Sequence, residues 1–300
     1  MVRVVDYARL PTERLNPRSH NLDRLSTTQI LRFMNREDAT VPRAVSRALP
    51  HIASAVRLIV ESLRGGGHLI FLGAGTSGRL AVMEAAECPP TFNTPPSMVQ
   101  AIMAGGRAAV FRSQEGAEDD QRRARQEIRR RVATGDTVVG IAASGVTPFV
   151  AAALRAARSR GASTILITCS RQTRLRALAD RLIAVSISPE VIAGSTRLKA
   201  GTATKLILNM LTVATMVRLG KVYGNWMVDV KPASQKLRAR AARIVQEVTG
   251  VSARQAVSLL RQAHGQVKPA IVMATLGATY RRAHQLLAHH DGRLRRILPQ

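Results

Sequence analysis

Residues 69 to 92 constrain this chain more than any other stretch. The apolar run Leu69 to Leu72 meets Gly73-Ala-Gly-Thr-Ser-Gly, and a helical pattern follows as far as Cys88-Pro89-Pro90. A residue before proline is pushed out of the α region, so the helix is expected to stop there. The order of signals predicts a strand, a loop and a helix. At such a junction the first helical N–H groups are unpaired and the helix dipole adds partial positive charge, which makes the loop a natural seat for an anion, phosphate first. Gly73, Gly75 and Gly78 also spell G-x-G-x-x-G, a dinucleotide signature. That signature needs an acidic residue after the next strand, and the candidate strand Met98 to Met103 runs into Ala104-Gly105-Gly106 with no carboxylate. The loop is therefore read as holding a sugar phosphate with Gly75, Thr76, Ser77 and Gly78, although a plain tight turn would need the same glycines.

Composition limits the alternatives. At 300 residues and 46% hydrophobic, the chain can bury a full core. No apolar stretch is expected to span a bilayer, and the N-terminus lacks the apolar core of a signal peptide, so no membrane partner and a cytoplasmic location are expected. The two cysteines, Cys88 and Cys169, suggest no disulfide framework, and the seven histidines show no ligand spacing, so no metal and no other cofactor are expected. A net charge of +26 invites a nucleic-acid reading. The arginines, however, recur among alanine and leucine at helical spacing, as in Arg122-Arg123-Ala-Arg125 and Arg129-Arg130-Arg131, which is the pattern of solvated helix faces. With aromatics at 3% there are few stacking platforms, and no nucleic acid partner is expected.

Residues 1 to 22 read as an N-terminal arm, residues 23 to 232 as one α/β domain with a helical lead-in, and residues 233 to 300 as a small C-terminal helical subdomain. Ser26 or Thr27 should cap a first short helix, and Val41 to Leu63 should form a longer one. Asp136 to Ala143 reads as a strand feeding Ser144-Gly145-Val146-Thr147-Pro148, which repeats the logic of the first loop and places Ser144, Gly145 and Thr147 as phosphate donors. Further strands are expected at Ser163 to Cys169 and Arg181 to Ile187. Apolar β-branched runs alternating with helices imply a mostly parallel sheet covered on both faces. Ser195, Thr196 and Lys199 precede the apolar helix Leu206 to Leu219 and could line the same pocket; a capped core helix with basic ends is the alternative.

Together, Gly73-Ala-Gly-Thr-Ser-Gly-Arg, Glu87-Cys-Pro-Pro-Thr, Glu115-Gly-Ala-Glu-Asp-Asp, Gly140-Ile-Ala-Ala-Ser-Gly, Gly194-Ser-Thr-Arg-Leu-Lys-Ala-Gly-Thr-Ala and Gly220-Lys-Val-Tyr-Gly-Asn closely resemble the N-acetylmuramic acid 6-phosphate etherases of the sugar isomerase (SIS) superfamily. The resemblance runs from about Asp23 to Leu298. It implies a three-layer α/β fold of SIS type and a homodimeric, cofactor-independent enzyme of cell-wall sugar recycling. Such an enzyme cleaves the C3 D-lactyl ether of its amino sugar phosphate. By that likeness the catalytic acid maps onto Glu87 and a second active-site carboxylate onto Glu118. The residues themselves support Glu87: it is expected at a helix C-terminus among Ala85, Ala86 and Pro89, where the dipole and desolvation would raise its pKa. Glu118 has rivals in Glu115, Asp119 and Asp120, since acidic residues suit any first helical turn. Two positions depart from the family's pattern: Val146 stands where arginine is common, and Cys169-Ser170-Arg171 replaces the usual Cys-Asn-Pro. A non-catalytic regulatory protein that senses sugar phosphates on the same SIS fold is the alternative reading.

Overall fold

The computed structural model describes residues 10–298. Residues 1–9 of the expected arm lie outside that range, and its remainder forms short 3-10 turns at Pro11–Glu13, Pro17–Ser19 and Leu22–Arg24. The chain divides into two compact units, Met1–Ala86 with Ser97–Leu211, and Glu87–Pro96 with Thr212–Gln300.

The first unit is built on five strands: β1 (Leu69–Gly73), β2 (Val99–Met103), β3 (Thr137–Ile141), β4 (Ser163–Thr168) and β5 (Arg181–Ala184). Their order is β2-β1-β3-β4-β5, and every neighbouring pair is parallel. Nearly unbroken apolar runs suit such a sheet, because both of its faces are covered. Ile70, Leu72, Val138 and Leu166 share one core with α6 (Gln121–Arg131) and α7 (Pro148–Ser159). The alternate side chains Leu69, Phe71, Val139 and Ile165 are also fully buried, so the opposite face is covered as well.

Ser26 caps α1 (Thr27–Asp38) in a reciprocal box with Gln29. The single helix expected from Val41 to Leu63 is two, α2 (Val41–Ser46) and α3 (Leu49–Arg64), because Pro50 fits a first helical turn but not an interior. The helix α4 (Gly75–Phe92) runs through Pro89 and Pro90 instead of stopping before them. Asn93 N still donates to Pro89 O at 2.9 Å, so the helical ladder resumes past the prolines. Without N–H groups at 89 and 90, the carbonyls of Ala85 and Ala86 lose their helical donors, and the boundary between the two units falls at that weak point. A short helix α5 (Ala108–Phe111) precedes α6.

The helix α8 (Lys199–Arg218) begins earlier than expected and carries 20 residues. Contrary to the sequence reading, its length and mean hydropathy of 1.3 would allow it to cross a membrane, but 56% of that stretch is buried inside the fold, as in a core helix. The second unit contains α9 (Gln235–Thr249), α10 (Ala253–Gln262), α11 (Val267–Leu276) and α12 (Tyr280–His289). They pack around Ile244, Val245, Ile271 and Val272. Ser234, Ser252 and Thr279 cap three of these helices with their side-chain oxygens.

One buried network ties distant segments of the first unit together. The Lys199 side chain is fully buried, and its ammonium donates to Glu37 Oε2 at 2.6 Å, Ser188 Oγ at 2.7 Å and Pro189 O at 2.7 Å. Asn16 Nδ2 reaches the same Glu37 oxygen and Pro189 O, each at 3.1 Å. Burial alone would raise the Glu37 pKa, but the bond and charge of Lys199, with Arg18 and Asn16, outweigh it and hold the carboxyl below its ordinary range. Glu190 accepts the amides of Lys199 and Ala200 at 3.0 and 2.9 Å, capping α8 with a carboxylate. Its burial nevertheless pushes its pKa up.

Replacing Lys199 by methionine leaves Glu37 buried without its main partner and should cost about 3–5 kcal/mol. Removing exposed Arg18 from the same carboxylate should cost under about 1 kcal/mol. Urea unfolding of Lys199→Met and Arg18→Ala compares the two directly. Because the folded pKa of Glu37 is depressed, its stabilisation is present above the unfolded value and is lost as pH falls through the folded one. The gap in unfolding midpoint between the wild type and Glu37→Gln should therefore shrink on acidification.

Candidate active site

The sheet order reverses direction between β1 and β3: the chain leaves β1 toward β2 on one side and leaves β3 toward β4 on the other. Open parallel sheets bind ligands in the crevice at the carboxyl ends of such strands. A cavity of about 280 Å³ lies there, reached by Ile141 at the end of β3 and by the loops that follow β1 and β3.

Local geometry explains the first loop. Gly75 has φ +53°, a left-handed conformation that side chains disfavour, and a Cβ there would meet nothing within 4 Å. Gly78 has another role. A Cβ on it would come within 2.3 Å of Met103 Sδ and 2.5 Å of Gly73 O, so its missing side chain lets the start of α4 rest on the sheet. Thr76, Ser77 and Gly75 line the cavity, and Gly78 does not. The first N–H groups of α4 have no helical acceptor, since the ladder begins with Gly78 N to Ala74 O at 3.3 Å.

The second loop has the same form. Ser144 and Thr147 line the cavity, and Pro148 occupies the first turn of α7. Thr147 makes no side-chain cap bond, which leaves its hydroxyl available to a ligand. Gly145 is buried beneath the turn at φ +75°, its carbonyl accepting the Thr173 hydroxyl, so it shapes the loop without lining the space. Two helix N-termini, α4 and α7, thus face one cavity with three hydroxyls from Ser77, Ser144 and Thr147.

From the third cluster, Thr196 lines the cavity and Ser195 does not. Lys199 is corrected: every proton of its ammonium is committed to the buried network, and it cannot also bind a phosphate. Lys205 is also engaged, donating to buried Glu84 at 2.5 Å and to Asn209 at 2.6 Å.

The four acidic residues of the Glu-Gly-Ala-Glu-Asp-Asp stretch separate. Asp120 caps α6 through the Arg123 amide at 2.8 Å, and Glu115 lies exposed outside the cavity. Glu118 and Asp119, on the 3-10 turn Ala117–Asp119, both line it. Glu87 is in the second unit, in the later part of α4, with an exposed side chain and no hydrogen bond among the described residues. Its exposure differs from the apolar enclosure expected around it from Ala85, Ala86 and Pro89.

Sequence reasoning missed Glu13. It lines the cavity from the first 3-10 turn, held there by Gly194 N donating to Thr12 O at 3.1 Å. Gly194 suits that crossing because its φ of +75° is left-handed, a conformation that side chains disfavour. No local pattern announces the contact, because its partners lie at opposite ends of the first unit's sequence.

The parallel sheet, the switch-point cavity and the paired hydroxyl loops define a sugar isomerase domain. The SIS domain family matches residues 115–214, and the N-terminal SIS domain of glucokinase regulatory protein matches residues 51–158. The fold is similar to that of the phosphoheptose isomerase from Neisseria gonorrhoeae, with a TM-score of 0.51 at 18% identity over 63% of this chain and 98% of that one. Over nearly its whole length the chain is 49% identical to the N-acetylmuramic acid 6-phosphate etherase of Geobacillus thermodenitrificans, covering 96% of this chain and 98% of that one. It is 48% identical to the corresponding etherase of Gloeothece citriformis, covering 99% and 98%. The chain belongs to the N-acetylmuramic acid 6-phosphate etherase family.

The geometry separates two kinds of loop residue. Gly78→Ala should lower the melting temperature and substrate turnover together, because overpacking between α4 and β1 costs about 1–3 kcal/mol. Ser77→Ala should raise KM with little change in melting temperature. Thermal unfolding and steady-state kinetics on the two variants read both effects.

Proposed function

We propose that this chain is an N-acetylmuramic acid 6-phosphate etherase, a carbon-oxygen lyase that releases D-lactate and leaves N-acetylglucosamine 6-phosphate, acting in cytoplasmic recycling of cell-wall amino sugars. The observation that carries this reading is the cavity itself. Two helix N-termini and three hydroxyls supply a phosphate seat, and the carboxylate of Glu118 lies on the same cavity wall.

The chemistry explains why carboxylates are needed. An alkoxide is a poor leaving group, so the ether bond resists direct cleavage at neutral pH. Opening the sugar ring to its aldehyde acidifies the proton at C2. A base removes that proton, the electrons form the C2–C3 double bond, and the C3–oxygen bond breaks as an acid protonates the departing lactate oxygen. Water then adds across the double bond and restores the hydroxyl at C3. The sequence consumes one water overall and needs one carboxylate ionised and one protonated. Glu118, exposed on the cavity wall, is the base, and Glu87 is the acid. Ser77, Ser144 and Thr147 hold the phosphate, and with it the register of C2 and C3 against the base.

Glu87 lies outside the cavity lining and is exposed. In the homodimer we propose, the Glu87 of one copy serves the cavity of the other, and assembly supplies the desolvation that a protonated carboxyl needs.

Purified protein incubated with N-acetylmuramic acid 6-phosphate should release D-lactate. Glu118→Gln and Glu87→Gln should each lower turnover by roughly a hundredfold or more, the scale of a lost general acid or base. Retention of near-normal turnover by either variant removes that residue from the mechanism. Mixing the two inactive variants under subunit exchange should restore about a quarter of wild-type activity, because half of the dimers are mixed and each holds one intact site. No recovery despite exchange would place both carboxylates in one chain.

A further inference from the structure

The chain's positive charge has a focus on the first unit. Arg47, Arg171, Arg176 and Arg181 line a cavity of about 510 Å³ that shares no residue with the cavity at the β1/β3 switch. They come from separate places. Arg47 follows α2, Arg171 lies in the loop after β4, Arg176 is on the 3-10 turn Arg174–Leu178, and Arg181 begins β5 at the edge of the sheet. His51, in the first turn of α3, lines the same space.

These arginines differ from those on α6, where Arg123, Arg130 and Arg131 all pair with Glu127. Among the described residues none of the four cavity arginines makes an ion pair. Asp180 is the one carboxylate in the lining, and its Oδ2 already accepts the Thr164 amide at 2.7 Å and hydroxyl at 2.9 Å. Four guanidiniums against one carboxylate leave a surplus of three positive charges around one concavity.

Charge on an edge strand is ordinary protection against edge-to-edge pairing, which accounts for Arg181 by itself. It does not account for three more guanidiniums converging from other segments. Arg181 is also oriented in advance, with Nε donating to Ser54 Oγ and NH1 to Asp180 O, both at 2.8 Å. A donor already held in place loses less entropy on binding. Guanidinium forks match phosphate oxygens two at a time, and the volume falls in the range of small-ligand pockets. The lining offers no Phe, Tyr or Trp for base stacking, so phosphate groups are the feature it can recognise.

We propose that this cavity is a second anion site, for a small soluble ligand carrying two or more adjacent phosphate groups, such as the polyphosphate chain of a nucleotide. The assignment is independent of the etherase reading.

Inorganic triphosphate, titrated calorimetrically into the full chain at near-physiological salt, is the test. Saturable binding at a single site per chain is expected, weakened roughly tenfold or more in Arg171→Gln/Arg176→Gln and also weakened in Arg47→Gln, on a different segment. Saturating N-acetylglucosamine 6-phosphate should leave the affinity unchanged, and the double variant should keep wild-type melting and D-lactate release. Absence of saturable binding, binding indifferent to these substitutions, or displacement by the sugar phosphate would each overturn the proposal. Duplex DNA binding more tightly than triphosphate, with the same arginine dependence and a steep salt slope, would overturn it in favour of a nucleic-acid surface.

Discussion

A single buried ammonium organises the first unit. Lys199 has no exposed side-chain surface, so every donor it carries must find an acceptor inside the protein. Glu37 on α1, Ser188 and the carbonyl of Pro189 supply them. Asn16 joins the same carboxylate and carbonyl from the N-terminal turns, while Glu190 takes the first amides of α8. Segments far apart in sequence are thereby held in one arrangement, because separating any of them would strand a charge in the interior. Gly194, Thr196 and Glu13 flank that network along the chain, and the same constraint brings them to the cavity wall.

The site combines two levels of organisation. The phosphate seat we propose is local: a glycine loop or a Ser-Gly turn between a strand and a helix presents unpaired amides and hydroxyls wherever it occurs. The carboxylates are not local. Glu118 comes from a connector between β2 and α6 and Glu13 from the N-terminal turns, and both line the cavity; Glu87, which we propose as the acid, belongs to the second unit. Unrelated reactions can share the binding part, and a similarity in fold to a phosphoheptose isomerase is compatible with a different reaction.

The charge of the chain divides in a comparable way. On α6, one glutamate is surrounded by three arginines, and its burial, which alone would raise its pKa, is outweighed by them so that the carboxyl stays below its ordinary range. At the β5 edge the arginines converge without such a partner. Composition reports both arrangements as the same excess of basic residues, and only the folded positions distinguish a paired helix face from an open basic cavity.

The parallel α/β architecture and the two strand-to-helix loops were legible in the sequence because each rests on contiguous residues whose local physics is decisive, and the family was legible through the resemblance of its motifs in order along the chain. An apolar run makes a buried strand, a glycine supplies a left-handed turn, and a serine caps a helix. The misread residues failed for the opposite reason. Lys199 carries the charge of a phosphate ligand but is buried against Glu37, Gly78 sits in the glycine loop but packs on Met103 and Gly73, and Glu13 carries no local signal. Pro89 and Pro90 predict a helix end, yet α4 continues to Phe92. The sequence by itself determined the strands, the loops and the chemistry available. Tertiary structure decided which charges are buried and satisfied and which face a ligand, because that depends on contacts between residues far apart along the chain.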